Sequence, residues 1–394
     1  MTASEHGITT TLRRLVIPVY LPMGAGALGV GMLVPALPLY LREEGLSFSV
    51  VSVVLGAAGL GSMFGGFPSG SILARFNEQI LLAIALVAMS VSTILLGMTT
   101  AVVALVTFRF VYGMGSIGLR LSRQTFIGNT VPPRLRGRAM ALVGGSFRIS
   151  LLVGPLLGGF LVDSIGFRTT FFICGLLNVL GLFGSASRRR TETSDGPGVM
   201  PLSLPRALWQ HRSILIKGGF APALAVAVRD GRYVIIPLFA VELGLSPSGV
   251  GALVALGSAA DLLLFPIAGF LMDRYGRLHA IVPSFSLIAV GLVILSTADS
   301  ALVVGVAGLV MGIGNGIGSG TMLTLATDLA PQEARGQVLS GLAILQDFGT
   351  LLGPLIVGIT ADAAGLGTSA LALAGVTVVA ILWFVFVVGE TRDL

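Results

Sequence analysis

One cysteine, Cys174, and three histidines, His6, His211 and His279, are all that 394 residues offer in soft or imidazole ligands. A lone thiol forms no intramolecular disulfide and no zinc cluster. Histidines this far apart, in loops and tails, point to no metal site. Charge is scarce too. Asp, Glu, Lys and Arg make up 11% of the chain, against about 25% in a soluble domain. No Gly-x-x-x-x-Gly-Lys-Ser/Thr stretch occurs, which argues against an ATP-driven pump. What the chain has instead is apolar sequence, 54% of it hydrophobic. Apolar runs recur from one end to the other. As helices they are long enough to span a hydrocarbon layer about 30 Å thick. The composition reads as an all-α polytopic membrane protein with the lipid bilayer as its solvent and no enzymatic chemistry.

The formal net charge of +6 does not indicate a nucleic-acid partner once the charges are placed. Arg13 and Arg14 precede the first apolar run. Arg134, Arg136 and Arg138 share one loop, and Arg188, Arg189, Arg190, Arg206, Arg212 and Lys217 share another. If the spans alternate, all of these fall on one side, and the other side keeps only Arg42 and Arg168. Such asymmetry places both termini in the cytoplasm, by the positive-inside rule, and suits a bacterial cytoplasmic membrane. The apolar stretch after Arg14 runs to Leu41, too long for a cleaved signal core.

Landmarks repeat along the chain at one constant offset. Pro38-Leu39-Tyr40 and Gly45-Leu46-Ser47 match Pro237-Leu238-Phe239 and Gly244-Leu245-Ser246. Arg136-Gly137 matches Arg335-Gly336, and Gly154-Pro155 matches Gly353-Pro354. The chain is two copies of one membrane unit, and parallel repeats of this kind characterise transporters. Twelve spans are expected, at about 15–41, 49–72, 79–100, 101–127, 137–162, 168–187, 217–240, 248–272, 280–298, 301–327, 336–361 and 368–389. They fall into a bundle of six over 1–187 and a second over 217–394. Residues 188–216 form the connection, in which Pro205–Arg212 is either a short surface helix or plain linker.

Gly269-Phe-Leu-Met-Asp273-Arg274-Tyr-Gly276-Arg277 resembles the loop signature of the major facilitator superfamily of membrane transporters. A weaker copy lies one repeat earlier, where Gly70 and Arg75 survive while Ala74, Asn77 and Glu78 replace the aspartate, the glycine and the last arginine. Gly154-Pro155-x-x-Gly158-Gly159 resembles the fifth-helix signature of the twelve-helix drug:proton antiporters, with Ser150 where that pattern has another glycine. Arg109-Phe-Val-Tyr-Gly-Met-Gly resembles the fourth-helix signature of proton-coupled members. The resemblance implies two pseudo-symmetric bundles, alternating access, and export of an amphipathic small molecule from a monomer. The proton gradient then takes the place of a cofactor. It also implies seam packing by Gly154, Pro155, Gly158, Gly159, Gly353 and Pro354. By the same token Asp273 is expected to cap the fifth helix near Gly137–Ala139. Uptake or flipping of an organic anion or lipid-like metabolite, or a non-transporting receptor on the same fold, are the alternatives.

Ionisable groups inside spans cost about 2.5–3.5 kcal/mol each on insertion scales and mark ion and substrate paths. Arg148, Arg229, Asp230, Asp261 and Asp347 share one depth. At about 1.5 Å per residue they count to roughly 16–20 Å from the nearer positively flanked helix ends. Arg232 shares the face of Arg229. Arg109 lies nearer the opposite side, whereas Arg120 and Arg123 approach the arginine-rich end and read as snorkelling. Asn315, Gln124 and Gln346 add neutral hydrogen-bonding groups. The first span has no interior acid and arginines exceed carboxylates, which favours a neutral, zwitterionic or anionic substrate. The depth count sets Arg148 opposite Asp261. Residue 62, the repeat partner of Asp261, is a serine, so Asp347 is expected to stand without an ion pair. Asp261 or Asp347 is the expected proton carrier.

Overall fold

Two glycines fold two of the longest helices in half. Gly166 has φ +78° and Gly365 has φ +84°, a backbone region that an L side chain disfavours, and the two are repeat equivalents. In the computed structural model, which describes residues 21–186 and 209–391, each sits inside an otherwise continuous helix. The loops expected at 162–168 and 361–368 are therefore single-residue breaks. The N-terminal arginine pair and residues 188–208 of the connection, with the first half of Pro205–Arg212, lie outside the described residues; Trp209 and Gln210 are helical and lead into the helix that starts at Arg212.

The helices are α1 (Leu21–Glu43), α2 (Phe48–Arg75), α3 (Glu78–Leu96), α4 (Val102–Thr130), α5 (Pro133–Ala186), α6 (Arg212–Glu242), α7 (Pro247–Tyr275), α8 (Arg277–Ser296), α9 (Ala301–Ile317), α10 (Thr321–Leu329) and α11 (Arg335–Trp383). A π turn, Phe384–Val388, follows. There is no strand among the described residues. Nine helical stretches among them are long and apolar enough to cross a membrane. Two of the nine are the helices folded at Gly166 and Gly365, each two spans long. The charged α6 is not among the nine, and α9 with α10 makes one interrupted span. Counted in that way, the spans come to the expected twelve.

Local chemistry sets the helix starts. The Ser47 hydroxyl accepts from the Val50 N–H and the Ser246 hydroxyl from the Gly249 N–H, again at equivalent places in the two repeats. Such caps satisfy donors that a helix leaves unpaired. Asn77, which replaces the loop glycine in the first copy, caps α3 by accepting from the Ile80 N–H at 3.1 Å.

Within the first half α1 packs on α5, and within the second α6 packs on α11. The halves meet where α2 packs on α11 and α5 on α7. Not all of the expected seam residues lie at those two contacts. A Cβ on Gly154 would meet the Gly31 backbone at 2.7 Å, and one on Gly158 would meet the Met32 carbonyl oxygen at 2.5 Å, so both face α1 in their own half. Gly353 likewise faces α6, against the Ala227 carbonyl oxygen. These three serve close packing inside a half, a use that small residues commonly have in lipid. Gly159, against Pro247, and Pro155, whose carbonyl abuts Gly251, do sit between the halves. Pro354 lines a cavity that the halves share.

At the end of the bundle near the linker, called the linker side below, the small apolar cores stay within their halves. One holds Phe126, Ile127, Val131, Leu135 and Ala139, and the other Ala326, Ala330, Ala334, Val338 and Leu342. At the opposite, far end Leu39 of the first half packs with Ala240 and Val250 of the second.

Gly31→Leu should lower stability by about 1–3 kcal/mol, the range for overpacking, because a Cβ there would overlap the Ser150 carbonyl oxygen. Gly144→Ala, inside the same helix as Ser150 and with nothing within 4 Å, should leave it unchanged or raise it by up to about 1 kcal/mol. Thermal unfolding in detergent reads both, and an unshifted midpoint for Gly31→Leu contradicts the packing described.

Candidate substrate cavity and cross-seam charges

Two ion pairs join the halves near mid-depth. Arg148 on α5 lies with Nε 3.6 Å from Asp261 Oδ1 on α7, where the depth count sets it. Its guanidinium also donates to the Ser319 hydroxyl and stacks over Phe265 at 4.7 Å. The second pair corrects two expectations. Arg120 on α4 donates to Asp347 on α11 at 2.9 Å. Arg120 therefore does not simply snorkel, and Asp347 does not stand alone. The sequence held the signal. Arg120 is ten residues before the end of α4. That makes it about 15 Å deep at about 1.5 Å per residue, close to the level of Asp347.

The contacts of Arg120 with Asp347 and of Ser319 with Arg148 are repeat equivalents. The counterpart of Arg120 in the second copy is Ser319, and that of Arg148 is Asp347. One spatial contact is thus arginine to aspartate in one place and serine to arginine in the other. Asp261 has Ser62 as its counterpart, whose hydroxyl bonds within the first half to Ser116.

Around the break between α9 and α10 the second half gathers more cations. Arg229 Nη2 donates to the Gly318 carbonyl at 3.1 Å. Arg232, only 3% exposed, donates to the Tyr233 hydroxyl at 2.9 Å. Asn315 is buried beside this break, and its Oδ1 has no partner among the described residues. Gln346 is half-buried next to Asp347.

A cavity of about 170 Å³ opens between the halves. From the first half Leu33, Val34, Leu55, Arg109 and Tyr112 line it, and from the second Asp230, Tyr233, Thr350 and Pro354. Arg109 stacks over Tyr112 at 4.9 Å. It faces this cavity, which removes snorkelling as its explanation. The walls are mostly apolar with a few charges, the usual make-up of a small-molecule site.

The two signature loops are quiet in this conformation. Gly276, φ +102°, separates α7 from α8, and Glu390 accepts from the N–H groups of Arg277 and Leu278 at 2.8 and 3.0 Å. Arg277 pairs with Asp328 at 3.0 Å, and Arg274 lies beside the Phe270 and Tyr275 rings. Gly70 and Gly269 have open space around them, and Arg75 is exposed. Asp273 and Gly137 are both exposed. Among the described residues no hydrogen bond or ion pair joins Asp273 to Gly137–Ala139, so the expected cap is not made in this conformation.

Its equivalent appears at the far end, on residues that the sequence reading passed over. Asp362, just beyond the eleventh span, accepts from the Phe48 and Ser49 N–H groups at 3.0 and 2.9 Å. Asp163 accepts from the Ser248 N–H at 3.0 Å. Each carboxylate caps a helix of the other half, where the helix dipole favours it, and the two are repeat equivalents. Arg42 and Glu242 add an ion pair across the same end at 2.8 Å. The hydrogen bonds and ion pairs found between described residues of the two halves lie at this end or at mid-depth.

Twin bundles of membrane-spanning helices around a charged cavity that both halves line are the architecture of a membrane transporter. The chain belongs to the Major Facilitator Superfamily, whose family model matches residues 23–228 and 218–393. Multidrug resistance protein MdtG of Escherichia coli is 23% identical over 373 residues, covering 90% of each chain. An uncharacterised MFS-type transporter of Methanocaldococcus jannaschii is 21% identical over 360 residues, 90% of this chain and 93% of that one. Among solved structures, a bacterial homolog of the human lysosomal transporter Spinster, inward-facing and unoccupied, superposes with a TM-score of 0.74 at 16% identity. The match covers 96% of this chain and 95% of that one.

Burial alone would raise the Asp362 carboxyl, but the hydrogen bonds from Ser49, Ser47 and Phe48 outweigh it and hold the group below its ordinary 3.8. A depressed value means that the cap is at full strength above 3.8 and fails as pH falls through the lower value. With Cys174→Ser as background, maleimide labelling of Ser52→Cys, buried beside Gly358, divided at each pH by that of a fully exposed cysteine to remove the thiolate's own pH dependence, should be flat from about pH 8 to about 5. Adding Asp362→Asn should raise it at neutral pH. Labelling that ignores Asp362→Asn means that the cap does not hold the far end shut.

Proposed function

We propose that the protein is a proton-coupled exporter that moves an amphipathic small molecule by alternating access. It works as a monomer in a bacterial cytoplasmic membrane, with both termini in the cytoplasm. The linker side is then the cytoplasmic side. The observation that carries the reading is the pair of cross-seam contacts, Arg148 with Asp261 and Arg120 with Asp347. Each ties the halves together through a carboxylate. Protonating that carboxylate removes half of an ion pair; for the largely buried Arg148–Asp261 pair losing one partner costs up to about 3–5 kcal/mol, and for Arg120, whose side chain is 46% exposed, less. Proton occupancy and the contact between the halves are thereby linked. The similarity to a protein named for multidrug resistance supports export, as does the Gly154-Pro155 motif on α5.

A second reading, uptake of an organic anion, draws on one observation: arginines outnumber carboxylates in and around the cavity. Flux in proteoliposomes under an imposed pH gradient of either sign separates the two.

Asp347→Asn or Asp261→Asn, whichever removes the coupling acid, should abolish gradient-driven flux while leaving substrate exchange without a gradient. If both variants drive transport at the wild-type rate, neither carboxylate couples the proton.

A further inference from the structure

Beyond the export reading, on whose cavity this rests, we infer that Arg148, Arg229 and Arg232 form a binding site for the anionic head of the substrate. That head is an oxyanion on an apolar body.

Arg229 lies within electrostatic reach of Arg148, Arg232 and Asp261 together. Asp230, its chain neighbour, points to the cavity and lies against Thr350. Three cations against Asp261 and Asp230, the latter within reach of Arg229 and Arg232, leave one positive charge in excess. Arginine is suited to this task, since its planar fork matches a carboxylate, sulfonate or phosphate edge.

The cluster also has unspent donors. Arg148 Nε, Arg229 Nε and Arg232 Nη1 are buried and have no hydrogen-bond partner among the described residues. Arg148 Nε is the atom nearest to Asp261, and at 3.6 Å that contact is an ion pair without a hydrogen bond. A buried donor left unmade is destabilising. Three of them in one cluster, on side chains already charged, are what an absent anion would satisfy.

The backbone favours the same occupant. The tenth span is interrupted between α9 and α10, with Gly320 at φ +78°. Arg229 and Arg148 bond to Gly318 and Ser319 of this break. The N-terminus of α10 starts there, so the positive end of its dipole adds to the arginine field.

Tyr233 connects the cluster to the cavity. Its hydroxyl accepts from Arg232, and the residue also lines the apolar space with Leu33, Val34 and Tyr112. An oxyanion held by the arginines would therefore have its apolar body in the cavity. A quaternary or protonated amine would face net positive charge instead.

The test is equilibrium binding of radiolabelled naphthalene-2-sulfonate to the purified full-length protein in detergent, with no gradient. 2-Naphthylmethanol and the (2-naphthylmethyl)trimethylammonium cation serve as competitors. The sulfonate should bind saturably, and the cation should not displace it. Arg229→Gln and Arg232→Gln should each weaken binding tenfold or more, with Arg229→Lys recovering part of the loss. Asp261→Asn should tighten it several-fold, because it removes the carboxylate that competes for the same cations. Thermal unfolding establishes which variants are folded. If Arg232→Gln is not, Arg229→Gln and Asp261→Asn decide. Unchanged sulfonate affinity in folded Arg229→Gln, or preferred binding of the cation together with weakening by Asp261→Asn, overturns the site. A protein that binds the sulfonate in this way yet shows no proton-driven flux refutes the export reading and leaves the site standing.

Discussion

A guanidinium between helices, away from water, must find a counter-charge or a carbonyl, and that constraint shapes the middle of this protein. The first half has no acid at this depth for Arg120 and Arg148, whereas the second has Asp230, Asp261 and Asp347 for Arg229 and Arg232. Arg148 therefore takes Asp261 from the opposite half, and Arg120 takes Asp347. Charge balance is achieved only with the halves together, so their relative placement is part of the electrostatics. The apolar contacts of α2 with α11 and of α5 with α7 are then held in register by pairs that cannot slide without losing their partners.

The internal repeat makes this arrangement comparable with itself. The geometry of one contact is used twice, at 120 with 347 and at 319 with 148, but the chemistry differs. One copy carries an ion pair, and the other a hydroxyl bonded to an arginine that is itself paired elsewhere. The duplication kept the helix framework and its caps, Ser47 with Ser246 and Gly166 with Gly365, while the charges diverged. An anion at the arginine cluster and the Asp261 carboxylate would be rivals for the same cations. A proton on Asp261 would then favour the anion, so exchange of the two in opposite directions falls more naturally to Asp347.

Most of the framework was legible because it rests on properties that a sequence displays directly: apolar length, arginine asymmetry and a constant offset. Arg148 opposite Asp261 was legible because a membrane helix converts residue count into depth. The same count would have found Arg120, but proximity to an arginine-rich end suggested a simpler explanation. Asp163 and Asp362 were passed over for another reason. A carboxylate near a helix end is ordinary in sequence, and its partner here is a backbone N–H, which leaves no mark in the residue type. Gly154, Gly158 and Gly353 show the reverse error. A motif known for the seam was carried over whole, although a glycine's use depends on which helix faces it.

The capping carboxylates at the far end bond to peptide groups, so the identity of the capped residue matters only if it lacks a hydrogen. At position 247 it does, being proline. Asp362 holds two N–H groups and Asp163 one, and the two seams are fastened unequally by a single ring closure in the backbone. Motion that parts this end therefore meets less resistance along α5 and α7 than along α2 and α11. The bundle has a built-in weak edge, although its two halves share one plan.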